Sequence, residues 1–174
     1  MGEINQVITT LQNLLDYDAR KFSSGEILLK NILPRWKDKA SSLKLKEVLQ
    51  KYFEYVSRHV EKIEAFIEAE NILSLSTGNK VMKAFIDEAE EKLGNCSDPE
   101  VRDACLLASI QGINHFKISS YGTAAAFSRA LGMDKQVELF HDAEVNEKQI
   151  DDRLSQLAEF EINAKARTPI SLPG

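Results

Sequence analysis

Four ionisable residues interrupt apolar stripes in this chain, and their types are those of a metal or charge-pair site. Between Ile113 and Thr123, read as INHFKISSYGT, a helical stripe of Leu106, Ile110, Ile113, Tyr121 and Ala124 is broken on or beside its apolar line by Asn114 and Lys117. Glu26, His59 and Glu147 each stand in mid-stripe of another long helical pattern. Moving an isolated charge out of water costs several kcal/mol, roughly, even after relaxation. A lone Glu or Lys near such a stripe usually carries its charge to solvent. One such residue on each of four helices instead predicts that they meet at a common centre. Carboxylates and an imidazole can ligate a metal; a protonated lysine cannot, and it repels a cation nearby.

Neighbouring residues carry weaker signals. His115 and His141 fall a quarter turn or more off their apolar lines and read as surface or rim histidines. Asp151 follows Glu147 by one helical turn, so it either stands behind the site or faces water. Tyr52 and Tyr55 read as core side chains with satisfied hydroxyls. There is no G-x-S-x-G, no phosphate-binding loop and no cysteine in an electropositive setting, so nucleophilic catalysis has no support.

The elements that must position these residues are all helical. From about Glu3 to Ala40, Ile4, Ile8, Leu11, Leu15, Ala19, Phe22, Leu29, Leu33 and Trp36 recur at helical spacing, with Glu26 in the vacant place. Gly25 and Pro34 leave open whether this is one bent helix or two. Ser41 and Ser42 offer an N-cap to a second helix, roughly Leu43 to Ile72, with Leu45, Val48, Leu49, Tyr52, Val56, His59, Ile63 and Phe66 along one side. SLSTGN, residues 74–79, is turn chemistry. A shorter amphipathic segment from Lys80 to Leu93 follows and reads as a connection. Asp98-Pro99-Glu100 is a strong helix start, opening a helix to Leu131 that Gly132 ends. Asp134 is expected to cap the last long helix, to about Phe160, with Leu139, Phe140, Ala143, Ile150, Leu154 and Leu157 on its buried side. Two tightly joined helix pairs with one long connection describe an all-α, ferritin-like four-helix bundle with a short extra helix in the crossover. The domain spans residues 1–161, and a tail, 162–174, ending TPISLPG, is expected to be extended or disordered.

Composition narrows the function classes. At 174 residues the chain can bury one real core. A formal charge of −5, spread along the chain, leaves no basic face for nucleic acid. No apolar run approaches membrane-spanning length, and MGEINQVITT has no secretory pattern. Cys96 and Cys105, without a CxxC or a His-rich neighbourhood, read as reduced thiols of a cytoplasmic protein. Helix faces such as Ile86 with Leu93, or Val137 with Leu139, offer either a seam for a homodimer or a side for the chain's own core, a choice that amphipathicity does not make.

GEILLKNILPRWKDKA, EYVSRHVEKIE, DPEVRDACLLA, NHFKISSYGTAA and NEKQIDDRLSQLA follow one another in an order that resembles the YciF/YciE family of bacterial ferritin-like proteins. The resemblance runs from about residue 20 to 166 and is most specific in EVRDA, H-x-x-I-x-x-YGT and EK-x-x-D-x-x-L. It implies a ferritin-like bundle, association with bacterial stress responses and an interior carboxylate cluster suited to a di-metal centre. Glu26 stands at the family's first-helix glutamate, Glu147 with Asp151 at its last-helix acids, and His59 at a Gln or His position. Tyr55, Asn114, Lys117 and Asn146 stand where the family has acids. A di-iron or di-manganese site normally draws on four carboxylates and two imidazoles, and the E-x-x-H on these helices, Glu138 to His141, ends on a histidine off the apolar line. The resulting expectation is a pseudo-site of Glu26, Tyr55, His59, Asn114, Lys117, Asn146 and Glu147 that needs no metal or other cofactor, in a non-catalytic protein. The alternative is one weakly held iron or manganese on Glu26, His59 and Glu147, with Asp151, in a metal-dependent oxidoreductase. Metal storage in a closed shell is a third reading, and it would require an assembly that sequence does not establish.

Overall fold

The structure, a computed structural model, describes residues 7–72 and 78–167. Four long helices carry the architecture: α1 (Leu11–Lys39), α2 (Leu43–Ala69), α4 (Pro99–Ala130) and α5 (Asp134–Leu157), with the shorter α3 (Lys80–Asn95) between the pairs. No strand occurs among the described residues. α1 packs on α2 and α4 on α5, the pairs meet through α2 with α5 and α1 with α4, and α3 lies outside against α4 and α1. This is the expected bundle with one long crossover.

Local chemistry sets the corners. Thr10 caps α1 through Asn13 N–H, so the helix starts at Leu11 rather than near Glu3; residues 1–6 lie outside the described range. α1 runs unbroken through Gly25 and Pro34. Pro34 is on the exposed face, where water can serve the carbonyl that its missing N–H releases. Ser42 caps α2 through Leu45 N–H at 3.2 Å. Asp103 on α4 then accepts the N–H groups of both Ser41 and Ser42 at 2.8 Å, tying the first corner to the second helix pair. Asp98 caps α4 through the N–H groups of Glu100 and Val101, with Pro99 at the first position, as its sequence predicts.

The α4–α5 corner needs Gly132, which adopts φ +69° in the left-handed region. Asp134 is the first residue of α5 rather than its cap: Met133 holds that place, and its N–H bonds back to Ser128. Asn79 caps α3 through Met82 N–H, and most of the expected turn before it, residues 73–77, lies outside the described residues.

One further expectation changes. The last helix does not give way to an extended tail at Ile162: a π-helical turn, Ala158–Ile162, continues into α6 (Asn163–Arg167). Burial of Ile162 against the core explains it, because the wider turn brings that residue round onto the apolar line. Residues 168–174 of the expected tail lie outside the described range. The faces offered for a homodimer are largely turned inward, since Leu93 belongs to the core and Ile86 and Leu139 pack partly buried against it.

Candidate functional site

The core divides into two apolar clusters. One is built around Trp36, Leu45, Tyr52 and Ile110, the other around Leu15, Ile63, Tyr121 and Phe140. Between them the four long helices converge on a buried polar layer. Helical spacing decides which side chains reach it: Tyr52 and His59 are two turns apart on α2, and Asn114, Lys117 and Tyr121 fall on one face of α4. Glu26 comes from α1 and Glu147 from α5, and both are essentially inaccessible, with relative exposures of 1% and 0%.

Lys117 is the hub. Its ammonium pairs with Glu26 Oε1 at 2.7 Å and with Glu147 Oε1, and it lies 3.3 Å from the Tyr52 hydroxyl. The phenols close the layer. Tyr121 donates to Glu26 Oε1 at 2.5 Å, and Tyr52 donates to Glu147 Oε2 at 2.8 Å. Asn114 Nδ2 donates to the same Glu147 oxygen at 2.7 Å. His59 turns Nδ1 towards both acids, 3.6 Å from Glu26 and 3.9 Å from Glu147, too far for hydrogen bonds. Its Nε2 lies 3.2 Å from Asn146 Nδ2.

Electrostatics follow from this geometry. Burial by itself raises the Glu26 carboxyl, but the Lys117 ammonium, helped by His59, outweighs it and holds the acid at about 2. For Lys117 burial works downward, and Glu147 and Glu26 together push the ammonium above its ordinary range. Burial, reinforced by the adjacent carboxylates, pushes the hydroxyls of Tyr52 and Tyr121 well upward. The layer is therefore a fixed cation between two anions, with neutral phenols as donors.

Donor atoms of Glu26, His59 and Glu147 all lie within 4.8 Å of one another, the spacing that a single metal ion requires. Glu26 Oε2, His59 Nδ1 and Asn114 Oδ1 are buried without a hydrogen-bond partner.

The structure thus brings together Glu26, His59, Asn114, Lys117 and Glu147, with Asn146 at the rim behind His59. Two expected members stand elsewhere. Tyr55 is half-buried, donating to Gln149, because helical spacing turns it roughly 40–60° to one side of the inward line of Tyr52 and His59. Asp151 faces outward, where it takes His115 Nε2 at 3.1 Å and Gln111 Nε2 at 3.1 Å. It is not a partner of Glu147. His115 and His141 are exposed, as expected. Tyr121, placed on an apolar stripe, and Tyr52, read from its sequence as a core residue with a satisfied hydroxyl, are both site members. The available signal was their spacing, one turn beyond Lys117 and two turns before His59.

Residues 10–167 match the family described as a domain of unknown function, DUF892. The chain belongs to that family. It is 33% identical over 144 residues to Protein YciF of Escherichia coli strain K12, covering 82% of this chain and 87% of that one. The crystal structure of the E. coli stress protein YciF superposes with a TM-score of 0.83 at 28% identity, covering 90% of this chain and 99% of YciF. YcfI of Rhodopseudomonas palustris gives 0.83 at 24% identity, covering 88% and 98%. A two-domain Anabaena variabilis protein with DJ-1/ThiJ/PfpI-like and ferritin-like domains matches at TM-score 0.62 and 17% identity, over 95% of this chain and 42% of that one. The fold of this DUF892 member is thus ferritin-like. No described helix of this member is long and apolar enough to cross a membrane.

Proposed function

We propose that this DUF892 protein is a non-catalytic, stress-associated ferritin-like protein in which Lys117 supplies at the bundle centre the positive charge that metals supply in di-metal relatives. The observation that carries the reading is the Lys117 ammonium set between Glu26 and Glu147. Two dications need several anionic oxygens for neutralisation and coordination, and among the described residues the layer holds only two carboxylates. Their oxygens already receive Tyr121, Tyr52 and Asn114 as donors. A dication entering here would meet Lys117 at ligand distance, so the residues do not fit a di-metal pair. The stress association rests on the likeness to YciF, which is described as a stress protein.

A second reading has one observation in its favour, the grouping of Glu26, His59 and Glu147. With Lys117 swung away, those three could hold a single iron or manganese and support oxidoreductase chemistry. Metal analysis of protein purified without chelator, from cells supplied with iron and manganese, separates the two. The proposal expects metal-free wild type and a gain of metal in Lys117→Glu. Stoichiometric metal in wild type, lost in Glu26→Ala or Glu147→Ala, would overturn it in favour of the second reading.

A further inference from the structure

The outer seam between α3 and α4 is open and apolar. A groove of about 510 Å³ runs along it, walled by Val81, Ala84 and Phe85 from α3 and by Cys105, Ala108 and Gly112 from α4. Small side chains on α4 leave the room: helical spacing puts Cys105, Ala108 and Gly112 on one side, the side on which α3 packs. Ala84 and Ala108 are exposed, and so is Val81, at 49%. The apolar surface also continues past the groove. Val101, one turn before Cys105 on the same side of α4, is 42% exposed. The charged groups in the groove wall, Glu88 and Lys92, pair with each other at 3.3 Å. The groove therefore suits an uncharged, aliphatic occupant better than an ionic one.

The chain delivers such an occupant to this corner. α5 runs antiparallel to α4, with Asp151 beside His115 and Ser155 bonded to Gln111 at 2.9 Å. Carried on through the π-helical turn, that register sets Arg167 level with Pro99, and α6 accordingly packs against α4. Residues 168–174, TPISLPG, follow and lie outside the described residues. They include no ionisable side chain. Ile170 and Leu172 stand two apart, the spacing that puts both on one side of an extended chain, and Pro169 and Pro173 oppose continuation of the helix.

We propose that residues 168–174 dock on this surface of their own chain, with Ile170 against Val101 and Leu172 in the Cys105 end of the groove. The lengths agree. Cys105 is about 9 Å beyond Pro99 along α4, and passing from the α5 side to the α3 side adds about the width of a helix, 10–12 Å. The resulting separation is about 15 Å, and in extended chain Leu172 reaches about 17 Å from Arg167. Ile170 reaches about 10 Å, enough for Val101. The docked segment straps the outer side of α4 to α3 and shields the Cys105 thiol. This contact is separate from the polar layer and does not depend on which charge sits at the bundle centre.

Cys105 reports the contact, because it stands where Leu172 is placed. In a Cys96→Ser background, alkylation of the folded full-length protein by N-ethylmaleimide, a neutral reagent, is timed with and without Ile170→Asp and Leu172→Asp together. These substitutions leave every core side chain in place. Cys105 should label at least about fivefold faster in the substituted protein, by a ratio that does not change with protein concentration. Equal rates would overturn the proposal. So would a ratio that grows with concentration, since the groove would then hold the segment of a second copy. A benzophenone-bearing amino acid at position 172 gives an independent reading. Its photo-cross-links should map to residues 81–92 or 101–112 of the same chain; cross-links elsewhere, between chains, or none at all would refute intrachain docking.

Discussion

Replacing Lys117 by methionine isolates the electrostatic role of the ammonium, because methionine fills most of the same volume and changes packing little. The lost group sits 2.7 Å from Glu26 Oε1 and also pairs with Glu147, in a layer where both acids are at most 1% exposed. Removing one partner of a buried pair leaves uncompensated charge and costs about 3–5 kcal/mol. Tyr121 still donates to Glu26, and Tyr52 and Asn114 still donate to Glu147, which keeps the expectation towards the lower end. The loss should also depend on pH in a definite direction. Without Lys117, burial is opposed mainly by His59 and Tyr121, and at least one of the two facing acids is pushed above its unfolded value. A carboxyl raised in the folded state contributes stability that is fully present below the unfolded value of 4.5 and is lost as pH rises through the folded value. Urea unfolding, followed by circular dichroism between about pH 5 and pH 8, should therefore show Lys117→Met becoming more stable towards the acid end, with the wild type nearly flat. Adding Glu26→Gln should recover part of the loss. A deficit under about 1 kcal/mol near pH 7 with no slope would refute a charge-based role for Lys117, since it falls below the cost of any broken buried pair.

In the wild type the sign is opposite: a Glu26 carboxyl held at about 2, rather than 4.5, contributes stability above 4.5 that is lost as pH falls towards 2. That contribution is about 3 kcal/mol near neutrality, and Glu26→Gln should flatten the decline of the urea midpoint across that window. Asp103→Ala should cost about 1–3 kcal/mol, because it strips the acceptor from the N–H groups of Ser41 and Ser42 at the α1–α2 corner; urea titration reads it directly. Gly25→Ala would place a Cβ 2.8 Å from Asn79 Nδ2, displacing the amide that bonds the Lys21 carbonyl and caps α3. The expected cost is about 1–2 kcal/mol, with faster amide exchange in the first turn of α3 than in α4.

The helices were legible because each has a long apolar period and a definite stop: Asp98-Pro99 at one corner and Gly132 at another act through local backbone chemistry that sequence displays directly. The turns that failed were those set from a distance. Nothing local to Ile162 announces a helix, since its reason for being helical is a place in the core supplied by other elements. Whether Pro34 breaks α1 stayed open in the sequence because sequence does not say which side of α1 meets water.

The site divides along the same line. A charged residue in an apolar stripe is a conflict visible in one dimension, so Glu26, His59, Lys117 and Glu147 stood out. A tyrosine in a stripe is no conflict. Tyr52 and Tyr121 enter the site only because burial forces each hydroxyl to find an acceptor, and the nearest acceptors are the two acids that Lys117 has already drawn in. Tyr55 fails for the converse reason: a position expected from resemblance is a place in the chain, and half-burial lets its hydroxyl settle on Gln149 instead. The layer is thus assembled by the demand of Lys117 for anions, and the phenols are recruited second. That ordering gives Lys117→Met and Tyr121→Phe different signatures. The first should make stability fall as pH rises. The second, which removes one donor from Glu26 but leaves the ion pair, should cost about 1–3 kcal/mol with no such reversal, and urea unfolding over the same pH range distinguishes them.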